Sequence, residues 1–99
     1  MRRRVRATPA FFDRLDTWLP AERPGDGTPS RSDFEALDLF DIIEHVAEHW
    51  DDLPRTVRGR DDYRTHITAG KVVASYAVTA QLARDGAIEL VDIEIQVRW

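Results

Sequence analysis

The feature that most constrains this chain is a change of hydrophobic period near residue 60. Before it apolar residues recur at helical spacing, and after it they alternate. Phe11, Phe12, Leu15, Trp18 and Leu19 form one helical stripe. Thr8 introduces it as N-cap, Pro9 takes the first helical position, and Pro20 stops it. Residues 20–31, with three Pro and two Gly, read as a loop longer than a helical hairpin needs. Ser32-Asp33-Phe34-Glu35 then reads as a capping box opening a second helix that runs to about Trp50. Ala36, Leu39, Phe40, Ile43, Val46, Ala47 and Trp50 are predicted to share its buried face, widened by Phe34, Leu37 and Ile42. Glu35, Asp38, Asp41, Glu44 and Glu48 are predicted to lie mostly on the solvated side.

Asp51–Asp62 is a polar connector, and beyond it the period is two. Tyr63–Thr68 reads as a strand, Ala69-Gly70 as a tight turn and Lys71–Ala80 as a second strand. After a turn at Arg84-Asp85-Gly86, Ala87–Val97 reads as a third. Its Val91, Ile93, Ile95 and Val97 are predicted to face one side, and Leu90, Asp92, Glu94, Gln96 and Arg98 the other. With Arg2–Ala7 as a short edge strand the order is β-α-α-β-β-β. The economical solution is α+β: a small, mostly antiparallel sheet with a two-helix hairpin packed on one face. Its other face is left to solvent or a partner.

A chain of 99 residues has room for one domain, expected to span 1–99, with one modest core. The absence of cysteine excludes a disulfide framework and a thiolate zinc site. Apolar runs are too short to span a membrane, and Met1-Arg2-Arg3-Arg4 is not followed by an apolar stretch, so a cytoplasmic location is expected. The net charge of −4 argues against a protein that coats nucleic acid indiscriminately, but it is an average. Arg2, Arg3, Arg4 and Arg6 make a basic start, residues 33–50 carry six acids and no Lys or Arg, and the segment from Arg55 to Lys71 is mixed.

Two groupings carry possible chemistry. His45 and His49 are four apart on the second helix, the spacing of a helical metal pair, but no third ligand is apparent. The helix dipole accounts for histidines at that end, so no metal and no cofactor are expected. Arg64 and His66 are two apart and face one side of their strand, where Asp92, Glu94 and Arg98 are expected as well, with Lys71 at the turn. Such a set offers a base, an acid and cations for a phosphate. It is equally the pattern of cross-strand ion pairs on a solvated sheet, or of a surface that contacts a protein.

The element order, together with Thr8-Pro9-Ala10-Phe11-Phe12, Trp50-Asp-Asp-Leu-Pro54 and Asp62-Tyr63-Arg64-Thr65-His66-Ile67-Thr68-Ala69-Gly70-Lys71-Val72-Val73, resembles the RelE/ParE superfamily of bacterial type II toxins. The segment from Asp62 is similar to the family's central hairpin, with an early arginine and a second strand ending near Tyr76. The resemblance implies a toxin neutralised by a cognate antitoxin protein. One branch of the family cleaves mRNA on the ribosome, and another inhibits DNA gyrase by binding. An inactive relative serving only as an interaction module is a third possibility. For the nuclease branch the resemblance implies a metal-independent endoribonuclease. Arg64 and Arg98 would then bind phosphate, His66 and Glu94 would transfer protons, and Arg55, Arg58, Arg60, Lys71 and Trp99 would hold substrate.

Overall fold

In a computed structural model the chain is described over residues 2–22, 25, 28–56 and 58–96. It is an α+β domain in the expected order. The strands are β1 (Val5–Ala7), β2 (Tyr63–Ala69), β3 (Ser75–Leu82) and β4 (Ile88–Gln96). They form one mixed sheet in the order β1-β4-β3-β2, antiparallel except that β1 runs parallel to β4. Helix α1 (Pro9–Trp18) starts as the sequence predicts, with the Thr8 hydroxyl accepting from the Phe11 N–H. The long helix that follows is α-helical over Arg31–Phe34, π-helical over Glu35–Leu39 and α-helical again over Phe40–His49. Both helices close on one face of the sheet. Phe11, Leu15, Phe34, Ile42 and Val46 meet Val78, Ile88, Leu90 and Ile93 in a single core, each of them at most 1% exposed. Each such side chain contributes roughly 1.5–3 kcal/mol by leaving water.

Four local expectations are corrected. The capping box is two residues earlier: Ser30 Oγ accepts from the Asp33 N–H at 3.2 Å, and Asp33 Oδ2 accepts from the Ser30 N–H at 3.0 Å. That register frees Arg31 to bind Glu35 and Asp16 and to lie over the Phe12 ring, tying the two helices together.

The π turn is the second correction. An i→i+5 turn holds an extra residue, so side chains on either side of it fall out of α-helical phase. Leu37 and Phe40, expected inside, are 50% and 60% exposed, and Ala36 is exposed too. Asp38, expected in solvent, is only 1% exposed. Its carboxylate accepts from the backbone N–H groups of Lys71 (2.7 Å) and Val72 (2.9 Å).

Those two bonds explain the third correction. The β2–β3 connection is not a tight turn at Ala69-Gly70 but a five-residue loop, 70–74, pinned to the long helix, and β3 starts only at Ser75. Gly70 has no room for a side chain there: a Cβ would fall 2.8 Å from the Val73 carbonyl oxygen and 2.9 Å from Asp38 Oδ2.

The fourth lies in β4. Thr79 pairs with Asp92 but Ala80 pairs with Leu90, so Val91 is an extra residue in a β-bulge. Ile88 and Leu90 therefore face the core together with Ile93 and Ile95, and Leu90 is not on the open side.

Candidate functional site

The strand register decides which predicted site residues can meet. Arg64 pairs with Ala80 and His66 with Val78, both core-facing residues, so Arg64 and His66 point toward the helices. Thr79 pairs with Asp92 and Ala77 with Glu94, which places both acids on the open face. Asp92 and Glu94 therefore lie across the sheet from Arg64 and His66, which excludes both a shared catalytic surface and the cross-strand ion pairs. Arg98 and Trp99 lie outside the described residues, as does Val97 at the expected end of β4.

Arg64 is engaged by the backbone. Its Nε donates to the Asp61 carbonyl at 2.9 Å, and Nη1 donates to Leu53 O at 2.9 Å and Asp51 O at 3.3 Å. The guanidinium lies over the Trp50 ring, 5.5 Å from its centre. It ties β2 to the 3-10 turn Trp50–Asp52 that ends the long helix, where carbonyls lack helical donors. Two other arginines of this region are also held by neighbours. Arg55 pairs with Asp61, and Arg60 grips Asp62 with two nitrogens (2.8 and 2.7 Å) while lying over Tyr63. Arg58 is exposed.

Three of the four arginines at the basic start of the chain are likewise paired within it. Arg2 forks onto Glu44 and reaches Glu48. Arg4 and Arg6 both bind Asp85, whose pKa is pushed down to about 2, first by the Arg6 hydrogen bond and then by the Ala87 N–H. β1 is an edge strand, as expected.

His66 and Lys71 do share a concavity, a cleft of about 310 Å³ between the long helix and the β2–β3 hairpin. Asp41 and His45 line its helix side, and Thr68, Lys71 and Tyr76 its hairpin side. His66 stacks on His45 with ring centres 4.2 Å apart and planes 14° from parallel, and Tyr76 meets its edge at 5.9 Å. Burial, and then the neighbouring His45, lower the His66 pKa to about 4. Burial, followed by Asp38 and Asp41, raises that of Tyr76 to about 12. At neutral pH the cleft thus holds a neutral imidazole and a protonated phenol. Lys71 Nζ is 2.9 Å from Asp41 Oδ2. Two acids, Asp38 and Asp41, line the cleft with one base, Lys71, an acidic balance that is a poor setting for a phosphodiester.

Sequence reasoning missed Asp38, Asp41, His45 and Tyr76 as neighbours of His66. His45 lies on the same side of the long helix as His49, but only the fold brings β2 against that side. His45 and His49 have ring centres 4.8 Å apart, and His49 Nδ1 is 3.9 Å from Asp52. Among the described residues no group of three or more His, Cys, Asp or Glu has the geometry to hold a metal ion. Nor is any helix among them long and apolar enough to cross a membrane. Comparison of the chain with protein-family models, with curated proteins and with solved structures finds no match.

Proposed function

We propose that this chain is a cytoplasmic toxin of the RelE/ParE type, held in check by a cognate antitoxin protein, and that it arrests growth by binding a target rather than by cutting mRNA. DNA gyrase is the target implied by the binding branch of the resemblance. The element order β-α-α-β-β-β supports the family part of this reading. One observation carries the mode of action. The described residues that cleavage would use are dispersed: Arg64 is spent on backbone carbonyls, His66 is packed under His45, and Glu94 is across the sheet. Binding needs no such convergence.

The test is induction of the chain without an antitoxin, with plasmid supercoiling and mRNA ends followed together. The reading expects growth arrest with relaxed plasmid, intact messages and continuing translation. Cut messages on arrested ribosomes would replace it with the nuclease reading, and unimpaired growth would leave only an interaction module.

A further inference from the structure

The face of the sheet turned away from the long helix holds a groove of about 460 Å³. Its shape follows from the register. Ile67, Ala77 and Glu94 form one row across β2, β3 and β4, and Ala69, Ser75 and Gln96 form the next. In these two rows the middle strand places only the small residues Ala77 and Ser75, so it is a low floor between Ile67 on one side and Glu94 on the other. Trp18 of α1 forms a wall beyond. That wall is fixed: the indole Nε1 donates to the Ile93 carbonyl at 2.8 Å, and Arg14 lies 5.7 Å from the ring centre. Ile67 is 71% and Trp18 37% exposed, large apolar side chains left uncovered at either end of the groove.

The charge is equally uneven. Of the acids that β4 carries on this face, Glu89 pairs with Arg6, and Asp92 pairs with Arg14 at 2.9 Å. Glu94 has no ion pair among the described residues, although the other carboxylate-bearing surfaces of β4 are neutralised by the chain's own arginines. A carboxylate with no ion pair among the described residues, beside an aromatic wall and a floor of Ala77 and Ser75, complements a cation on an aliphatic stem.

We propose that this groove is a docking site for a basic, apolar segment of a partner protein. An arginine or lysine side chain of the segment lies along Ala77 with its head at the Glu94 carboxylate, and an apolar side chain of the same segment packs on Ile67. Neighbouring strands are about 4.8 Å apart, so the Ile67 and Glu94 positions are separated by roughly 10 Å. In an extended segment, residues two apart cover about 7 Å, and the reach of an arginine covers the rest. The motif is therefore an apolar residue followed two positions later by a basic one. This inference does not rest on the toxin reading, and either can fail without the other.

The probe is a blocked hexapeptide, acetyl-Gly-Leu-Ser-Arg-Ser-Gly-amide, titrated into the full chain and followed by ¹⁵N-resolved NMR. Expected are shifts centred on the Trp18 indole N–H and the amides of Ile67, Ala77 and Glu94. Affinity should fall at least fivefold with Glu94→Gln, with Ile67→Ser, and when citrulline replaces the peptide's arginine. These substitutions are on exposed positions, and the amide spectrum itself reports that each variant is folded. The proposal is overturned by shifts confined elsewhere or absent at millimolar peptide, or by affinity that Glu94→Gln leaves unchanged. Arginine amide binding as tightly as the hexapeptide would overturn it in favour of a small-cation site. Concentration-dependent shifts of the same residues without peptide would do so in favour of a second copy of the chain.

Discussion

The two faces of the sheet use the same kinds of residue in opposite ways. Toward the helices, polar side chains are matched within the fold: Asp38 receives two backbone amides, Arg64 donates to three carbonyls, and His66 is stacked on His45. On the far face, the row Ile67–Ala77–Glu94 leaves an isoleucine uncovered and a carboxylate without a counter-ion among the described residues. Arg64 and His66, which look chemical in the sequence, are therefore consumed by the fold. The open surface joins one further candidate, Glu94, to residues that look ordinary. A buried polar group without its partner costs far more than an exposed one, so the two faces should respond very differently to substitution.

The largest effect should come from Asp38→Ala. It strips two part-buried N–H groups of their acceptor and frees the 70–74 loop, at a cost of about 3 kcal/mol. Urea denaturation would read this, and an unchanged midpoint would mean that the two faces do not differ in the way described. Arg64→Ala should follow at about 2 kcal/mol, the scale of hydrogen bonds from a charged donor. Under the proposed function, any loss of growth arrest in that variant should then track its loss of stability. Full stability with lost arrest would return Arg64 to a direct role at the target.

Acid should expose the cost of His66 next. Its folded pKa lies at about 4, below the ordinary 6.5, so between those values the unfolded chain binds more protons than the folded one. Stability from this group is complete above about pH 6.5, declines as pH falls, and is fully lost below about pH 4. With half-burial allowing solvent screening, the loss should be about 1 kcal/mol. His66→Gln should flatten the denaturation midpoint between pH 6.5 and 4.5. The smallest effect belongs to the open face. Glu94→Gln should leave the midpoint within error of the parent, and a marked shift would show that this carboxylate has a structural partner after all.

Much of the architecture is legible in the residues, because long periodic stretches carry their own signal. Thr8-Pro9 with Phe11, Leu15 and Leu19 suffices for α1, and the alternation after residue 60 suffices for three strands. Phase is the part that is not legible. Nothing in Glu35–Leu39 marks a π turn locally, and Leu90-Val91-Asp92-Ile93 fits either strand phase equally well. Both are settled by long-range partners: the loop that needs Asp38, and the core that takes Ile88 and Leu90 as well as Ile93 and Ile95. A slip of one residue moves side chains to the other face, and the 70–74 loop, longer than the expected tight turn, pairs Arg64 and His66 with core-facing Ala80 and Val78 while Glu94 keeps its expected place on the open face, so the predicted set splits apart. Ser30 and Ser32 illustrate the same ambiguity on a smaller scale, since either spacing satisfies a capping box.

The parallel pairing of β1 with β4 has a consequence for how the protein is made. Val5, Arg6 and Ala7 lie beside Ile88, Glu89 and Leu90, more than eighty positions later in the chain. On the ribosome the first strand emerges long before its neighbour exists. The arginines that will bind Asp85 and Glu89 spend that interval without those partners. The sheet can be completed only late in synthesis, and until then its unpaired strands make the nascent chain more exposed to aggregation than the finished domain.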